Sequence, residues 1–406
     1  MRPTADDLRA HWTLDPAVVF LNHGSFGACP RVILAEQDRL RAVIEREPVH
    51  FYIHALGPLL DHAREQVAGF LGARPEDLAF VRNATAGVAA VLGSLRLEPG
   101  DELLTTDHVY GACHNALRHL CERSGARLVV VHVPFPIAGP DEVVAPLLAG
   151  VSPRTRLALV DHITSPTGLI FPVAEIVAAL RERGVDTLVD GAHGPGMVPL
   201  ELDALGAAYY TGNFHKWVCA PKGAAILHVR RDRQSGLHPT IISHGYNLTA
   251  RGRPALWEEF DWTGTDDPTP WLCVAPAIRW LGELFPGGWP ELRARNHAQL
   301  LRGRDRLAAV LGVAAPAPDA MLGNLAALPL PDGPGGLASP FHADPLQLAL
   351  YERHHIEVPI PVWPVWPVWP APPRRLIRIS AQAYNRDEDY DALAQALAHE
   401  LHITAS

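Results

Sequence analysis

Between residues 78 and 230 the chain alternates short apolar, β-rich runs with longer stretches in which apolar residues recur at helical spacing. The short runs predict strands at 78–81, 102–105, 127–133, 156–161, 186–190, 207–211 and 223–229. The longer stretches predict helices at 87–95, 111–123 and 173–183. Such alternation implies a mostly parallel seven-stranded sheet with helices on both faces, an α/β architecture. Functional groups in such sheets gather at the C-terminal ends of the strands.

The flanks follow other periods. Residues 35–71 read as helical with breaks near Pro48 and Pro58. Helices are also expected at 291–310 and 345–353, around a Gly/Pro-rich stretch near 329–340. The expected division is an N-terminal segment, 1–40, contributing to the site and to a small domain, then a large domain, 41–285, and a small C-terminal α+β domain, 286–406. Pro361–Pro370 repeats Val-Trp-Pro three times. Proline at every third position excludes helix and favours an extended chain, so this is either a rigid connector with partly buried indoles or an aromatic lip over a pocket.

Several polar groups stand where the pattern puts strand ends. Arg82-Asn-Ala-Thr-Ala-Gly87 follows the first strand and opens a helix, so Ala84, Thr85 and Ala86 form either a phosphate seat or an ordinary capped start. Thr106-Asp-His-Val-Tyr110 offers His108 or Tyr110 for stacking on a planar ring, or simply a loop. In Asp161-His-Ile-Thr-Ser-Pro-Thr-Gly168, Thr164 and Ser165 suit ring contacts or turn chemistry equally. Asp190 closes the strand Thr187-Leu-Val-Asp190 and is either a partner for a pyridine nitrogen or a helix N-cap. Lys216, in Tyr209-Tyr-Thr-Gly-Asn-Phe-His-Lys-Trp217, is either a Schiff-base lysine partly desolvated by Phe214 and Trp217 or a surface loop residue. Each site alone is weak. Together they call for one planar, anionic, aldehyde-bearing ligand.

Composition sharpens one of these readings. Only two of the 35 basic residues are lysine, Lys216 and Lys222. A guanidinium substitutes for a positive charge but not for a nucleophilic amine, so a lysine kept in such a chain is more often one with a chemical task. Hydrophobic residues make up 48% and charged residues 19%, the balance of a chain with a large core. The net charge of −9 argues against nucleic acid. Neither a signal-peptide pattern nor an apolar run of membrane-spanning length is seen, so a cytoplasmic protein is expected. The five cysteines form no CxxC pair, and the 21 histidines show no HExxH spacing, so neither a disulfide framework nor a metal site is expected.

Asp190-Gly-Ala-His193 followed by Asn213-Phe-His-Lys216 resembles the signature of class V aminotransferase-like enzymes of fold type I. The N-terminal Phe20-Leu-Asn-His-Gly-Ser-Phe-Gly27 is similar to the isopenicillin N epimerase-like branch. The resemblance spans residues 20 to 395 and implies pyridoxal 5'-phosphate carried as a Schiff base on Lys216. It implies that Asp190 pairs with the pyridine nitrogen, that His193 contacts the phenolic oxygen, and that His108 stacks on the ring, with Tyr110 as the fallback. Thr85, Asn213 and His215 are implied for the phosphate, and Asn22, His23, Gly24 and Arg378 for the substrate, Arg378 clamping its carboxylate. Gly264 and Thr265 are implied to reach the phosphate of a neighbouring subunit, which makes the expected assembly a homodimer with shared sites.

The expected reaction is removal of the α-proton of an amino acid or small peptide by Lys216, leading to epimerisation. The alternatives are C–S bond cleavage, transamination, or a binding protein without catalysis. No cysteine follows Cys273, which departs from the desulfurases that carry a sulfur-accepting cysteine on a C-terminal loop.

Overall fold

The computed structural model describes residues 5–247, 252–332, 343–364 and 373–403. Seven strands build the main sheet: β1 (Leu78–Val81), β2 (Glu102–Thr106), β3 (Arg127–Val131), β4 (Thr155–Asp161), β5 (Asp186–Asp190), β6 (Tyr209–Asn213) and β7 (Ala225–Val229). Their order is β1-β7-β6-β5-β4-β2-β3, and only β7 runs antiparallel to its neighbours. The expected mostly parallel sheet is therefore present.

Successive strand side chains point to opposite faces, and here both faces are apolar. Leu104, Ala158, Val160 and Val189 join a core with Val67 and Leu71 of the helix Leu56–Leu71 and Ile176 and Leu180 of Val173–Glu182. Their neighbours Leu103, Leu157, Leu159 and Leu188 join a second core with Val88 and Val91 of Ala84–Ser94 and Leu117 and Leu120 of Gly111–Ser124. The sheet is thus held between two helical layers, and the C-terminal ends of β2, β4, β5 and β6 open along one edge. Parallel register places Asp161 directly beside Asp190 at that edge.

Towards the C-terminus, β8 (Leu325–Pro329), β9 (Val362–Trp363) and β10 (Arg374–Ser380) form an antiparallel sheet in the order β9-β10-β8, covered by the helix Gly288–Leu311, on which the helix Asp387–Glu400 packs. Near the N-terminus, Val19–Phe20 pairs in parallel with Ile356–Glu357. This pairing carries residues 22–27 across to the sheet edge where Asp190 and Lys216 stand. No helix among the described residues is long and apolar enough to cross a membrane.

One expectation fails. Pro58 does not break a helix but lies inside Leu56–Leu71. The preceding residues Phe51–Ala55 form a π-turn, in which the Leu56 amide bonds to the Phe51 carbonyl. That wider turn makes room for the proline ring, which has no N–H to lose from a regular α-helical ladder at its own position.

Candidate active site

Asn213 ends β6, and the loop after it is anchored on side chains that turn inward: Phe214, Trp217 and Cys219 are all fully buried. The loop closes on itself through Cys219 N–H to Lys216 O (3.0 Å) and Ala220 N–H to Phe214 O (3.1 Å). His23 clamps it from outside. Its Nε2 donates to Lys216 O (2.9 Å), so its Nδ1 accepts from the Tyr384 hydroxyl (2.7 Å). His23 is completely buried, and burial pulls its pKa down to about 3. The family resemblance implies His23 for the substrate, but the structure uses both its nitrogens to fix the loop behind Lys216.

Gly24 and Gly27 let the N-terminal segment approach. A Cβ on Gly27, whose φ is +69°, would stand 2.0 Å from His215 O. Lys222 donates to Gly27 O at 2.9 Å. The second lysine thus ties the N-terminal segment down.

Lys216 Nζ lies 3.1 Å from His193 Nε2. Burial and then the charge of Arg378 push its amine down to about 7, against a smaller opposing pull from Asp190. Such an amine is partly neutral, and so nucleophilic, at ordinary pH.

Asp190 is buried, accepting from Ala192 N–H (3.0 Å) on Oδ1 and from the Cys113 thiol (3.2 Å) on Oδ2. No helix begins after it, which removes the N-cap alternative. Beside it, Asp161 takes the Tyr110 amide (3.2 Å) on Oδ1, while its Oδ2 is buried with no partner among the described residues. Desolvation raises both carboxyl groups, and the Asp190 charge raises Asp161 further. Two acids that cannot comfortably ionise together suit a site that receives a positive ring nitrogen.

At the start of the helix Ala84–Ser94, the Asn83 side chain takes the Ala86 amide and Asn213 Oδ1 takes the Ala84 amide, each at 2.8 Å. The Thr85 amide and hydroxyl remain as that turn's open donors among the described residues. His215 adds a buried Nδ1 with no partner. Of the expected phosphate ligands, Thr85 is thus free to donate to an anion and His215 Nδ1 is unpartnered, whereas the Ala84 amide is held by Asn213 and the Ala86 amide by Asn83. Gly264 and Thr265 are exposed and form no hydrogen bond with this seat among the described residues.

The two candidates for ring stacking part company. His108 is completely buried, donating Nε2–H to Val133 O (2.9 Å) and accepting at Nδ1 from Thr167 (2.8 Å). Trp363 covers its ring at 4.6 Å between centroids, with Phe171 at 5.5 Å. Tyr110 is 40% exposed, and its phenol feels the charges of Asp190 and Arg378. Thr164 is used by its own turn, accepting the Leu169 amide at 2.9 Å. In that same turn the β-branched Ile163 sits at φ +133°, a costly conformation of the kind that collects at functional sites.

Arg378 is buried with no carboxylate partner among the described residues. Its Nη1 donates to Ser165 O (2.5 Å) and its Nη2 to Ser25 Oγ (2.9 Å), while Nε is buried without a partner. Ser25 in turn donates to Asn22 Oδ1 (2.5 Å), and Asn22 donates to Glu357 (3.1 Å). Asn22 therefore supports Ser25, and Ser25 was missed although it lies inside the N-terminal motif. Desolvation lowers the guanidinium to about 10. A buried cation with no counter-ion among the described residues, in a site with a partly neutral amine, suits a carboxylate ligand.

A family model described as aminotransferase class-V matches residues 18–327. The chain belongs to the class-V aminotransferase family. Members of this family are enzymes that depend on pyridoxal phosphate, and the residues present fit that cofactor: a depressed lysine amine, a buried acid pair, the open donors of Thr85 and the unpartnered Nδ1 of His215. The chain is 36% identical to isopenicillin N epimerase of Streptomyces clavuligerus, over 97% of each protein. It is 33% identical to putative L-cysteine desulfhydrase 1 of Oryza sativa subsp. japonica, over 97% of this chain and 86% of that one. Among solved structures, a C-DES mutant with glycine covalently linked to its cofactor superposes with a TM-score of 0.77 at 23% identity, covering 96% of this chain and 98% of that one. That last likeness speaks for the shared fold type I architecture.

Two clusters outside the site could tempt a metal assignment, Asp77–Asp203–His228 and His354–His399–Glu400. Each already holds arginine: Arg74 on Asp77 (2.6 Å) and Arg353 on Glu400 (3.0 Å).

Proposed function

We propose that this enzyme binds an α-amino acid, free or at the end of a small peptide, and moves its α-proton, with epimerisation as the outcome. The observation that carries the reading is the unpaired, buried Arg378 beside the depressed amine of Lys216. Arg378 orients the substrate carboxylate, and Lys216, once released from the cofactor, takes the α-proton as a base whose pKa lies near neutrality. Bound pyridoxal phosphate supplies the electron sink for the resulting carbanion, and Asp190 holds its ring nitrogen. Thr85 and His215 hold the phosphate.

Inversion needs a second proton donor on the other face. Tyr110 fills that role and also stacks on the ring in place of His108, because burial and the charge of Asp190 raise its phenol and keep it protonated. Gly264 and Thr265 complete the phosphate seat of a second subunit in a homodimer.

C–S bond cleavage is the second reading, favoured by the desulfhydrase relative. A persulfide relay has less support, since all five cysteines are buried. The test is incubation with L-amino acids and short peptides in deuterated water. Deuterated product of inverted configuration supports epimerisation, sulfide with pyruvate from cysteine supports cleavage, and a keto acid with the aminated cofactor supports transamination. Absence of any α-deuterium in recovered substrates across the panel contradicts α-proton removal altogether.

A further inference from the structure

The indole of Trp217 meets His193 on the side away from Lys216. Trp217 Nε1 lies 3.2 Å from His193 Nδ1, and His193 Nε2 lies 3.1 Å from Lys216 Nζ. An indole nitrogen can only donate, so Nδ1 must be the bare, accepting nitrogen of the ring. A doubly protonated imidazole would set two N–H groups against each other there. Burial disfavours that form too, as do the facing charges of Lys216 and Arg378, which hold His193 neutral. A neutral imidazole whose Nδ1 accepts carries its proton on Nε2. That proton therefore points at Lys216 Nζ, the atom to which the cofactor attaches.

We propose that Trp217 is a positioning residue: its indole N–H fixes the tautomer of His193, so that an N–H donor rather than a lone pair faces the Lys216 nitrogen and its bound cofactor. The residue after the lysine would then be chosen for its ring nitrogen as well as for its bulk. Trp217 is buried, tilted against His23 at 4.9 Å, and packed with Met197 and Leu325, so bulk alone would be served by phenylalanine. A donor facing the lysine nitrogen opposes protonation of that nitrogen, whereas a lone pair facing it favours protonation. Releasing the tautomer should thus raise the pKa of the cofactor linkage.

The test is a pH titration of the visible absorbance of the cofactor-loaded enzyme, without substrate. In Trp217→Phe the linkage pKa should rise by about one unit, the equivalent of one hydrogen bond. In His193→Leu no polar side-chain atom at position 193 faces Lys216 or Trp217, so adding Trp217→Phe to that background should leave the pKa where it was. An equal shift in both backgrounds, or none in the wild-type background, overturns the proposal, because packing would then explain the residue. Should Trp217→Phe fail to fold or to bind cofactor, the wild-type holoenzyme decides. The 15N shifts of His193, assigned by their loss in His193→Leu, must show a bare Nδ1 and a protonated Nε2, and the reverse pattern overturns the proposal.

Discussion

Lysine at position 378 would keep the charge of Arg378 and lose its fork. Arg378 commits Nη1 to the Ser165 carbonyl and Nη2 to Ser25, which leaves Nε and the free lobes of the guanidinium for a ligand. An ammonium on a flexible stem cannot hold those protein acceptors and also grip a carboxylate in two places. One charge-assisted hydrogen bond to the substrate is therefore lost, worth about 1.5–3 kcal/mol, or roughly 10- to 150-fold in affinity. The Lys216 amine should hardly move in Arg378→Lys, because the nearby positive charge remains; in Arg378→Gln it should rise. The assay is titration of an amino acid, and separately its carboxamide, into the loaded enzyme while the cofactor absorbance is followed. Wild type should prefer the acid to the amide by a factor that largely vanishes in Arg378→Lys. Binding of the acid within about twofold of wild type, with the preference intact, would refute the carboxylate clamp.

Formation of the cofactor linkage in the apoenzyme should follow the neutral fraction of Lys216. Since that amine is depressed to about 7, the rate should climb between pH 6 and 8 and then level; a midpoint above pH 9 in a stopped-flow series contradicts it. Lys222→Ala should stay coloured and lose about 0.5–1.5 kcal/mol of stability, read as a small drop in Tm, because it removes one solvent-facing tie to Gly27. Gly27→Ala should cost at least about 1–3 kcal/mol from its positive φ alone, and more from the clash with His215 O, with weaker cofactor retention; an unchanged Tm and cofactor affinity would show that the segment simply moves aside.

The sheet was legible because strands buried on both faces leave apolar runs that few other structures produce, and because polar residues end those runs where a site belongs. Asp190 and Lys216 stand out for that reason. The choice between His108 and Tyr110 was not legible. It depends on Trp363, 255 positions further on, which covers His108 and leaves Tyr110 to the open side of the site. That first indole of the Val-Trp-Pro triplication is buried, as a connector would have it, while residues 365–370 lie outside the described residues. His23 shows the same limit. A histidine in a matching motif reads as a ligand contact, and only the Tyr384 hydroxyl and Lys216 carbonyl on its two nitrogens reveal a clamp. Asp161 and Cys113 do not stand out in the sequence as acid and thiol, because their meaning comes from register and from packing against Asp190. Pro58 misled because proline's usual effect on a helix is absorbed by the π-turn before it.

The most direct test of the account is to reduce the loaded enzyme with borohydride and map the modified peptide by mass spectrometry. A single reduced pyridoxyl group is expected on Lys216, absent from Lys216→Ala and unaffected by Lys222→Ala. A label on Lys222, or none on either lysine, would contradict it.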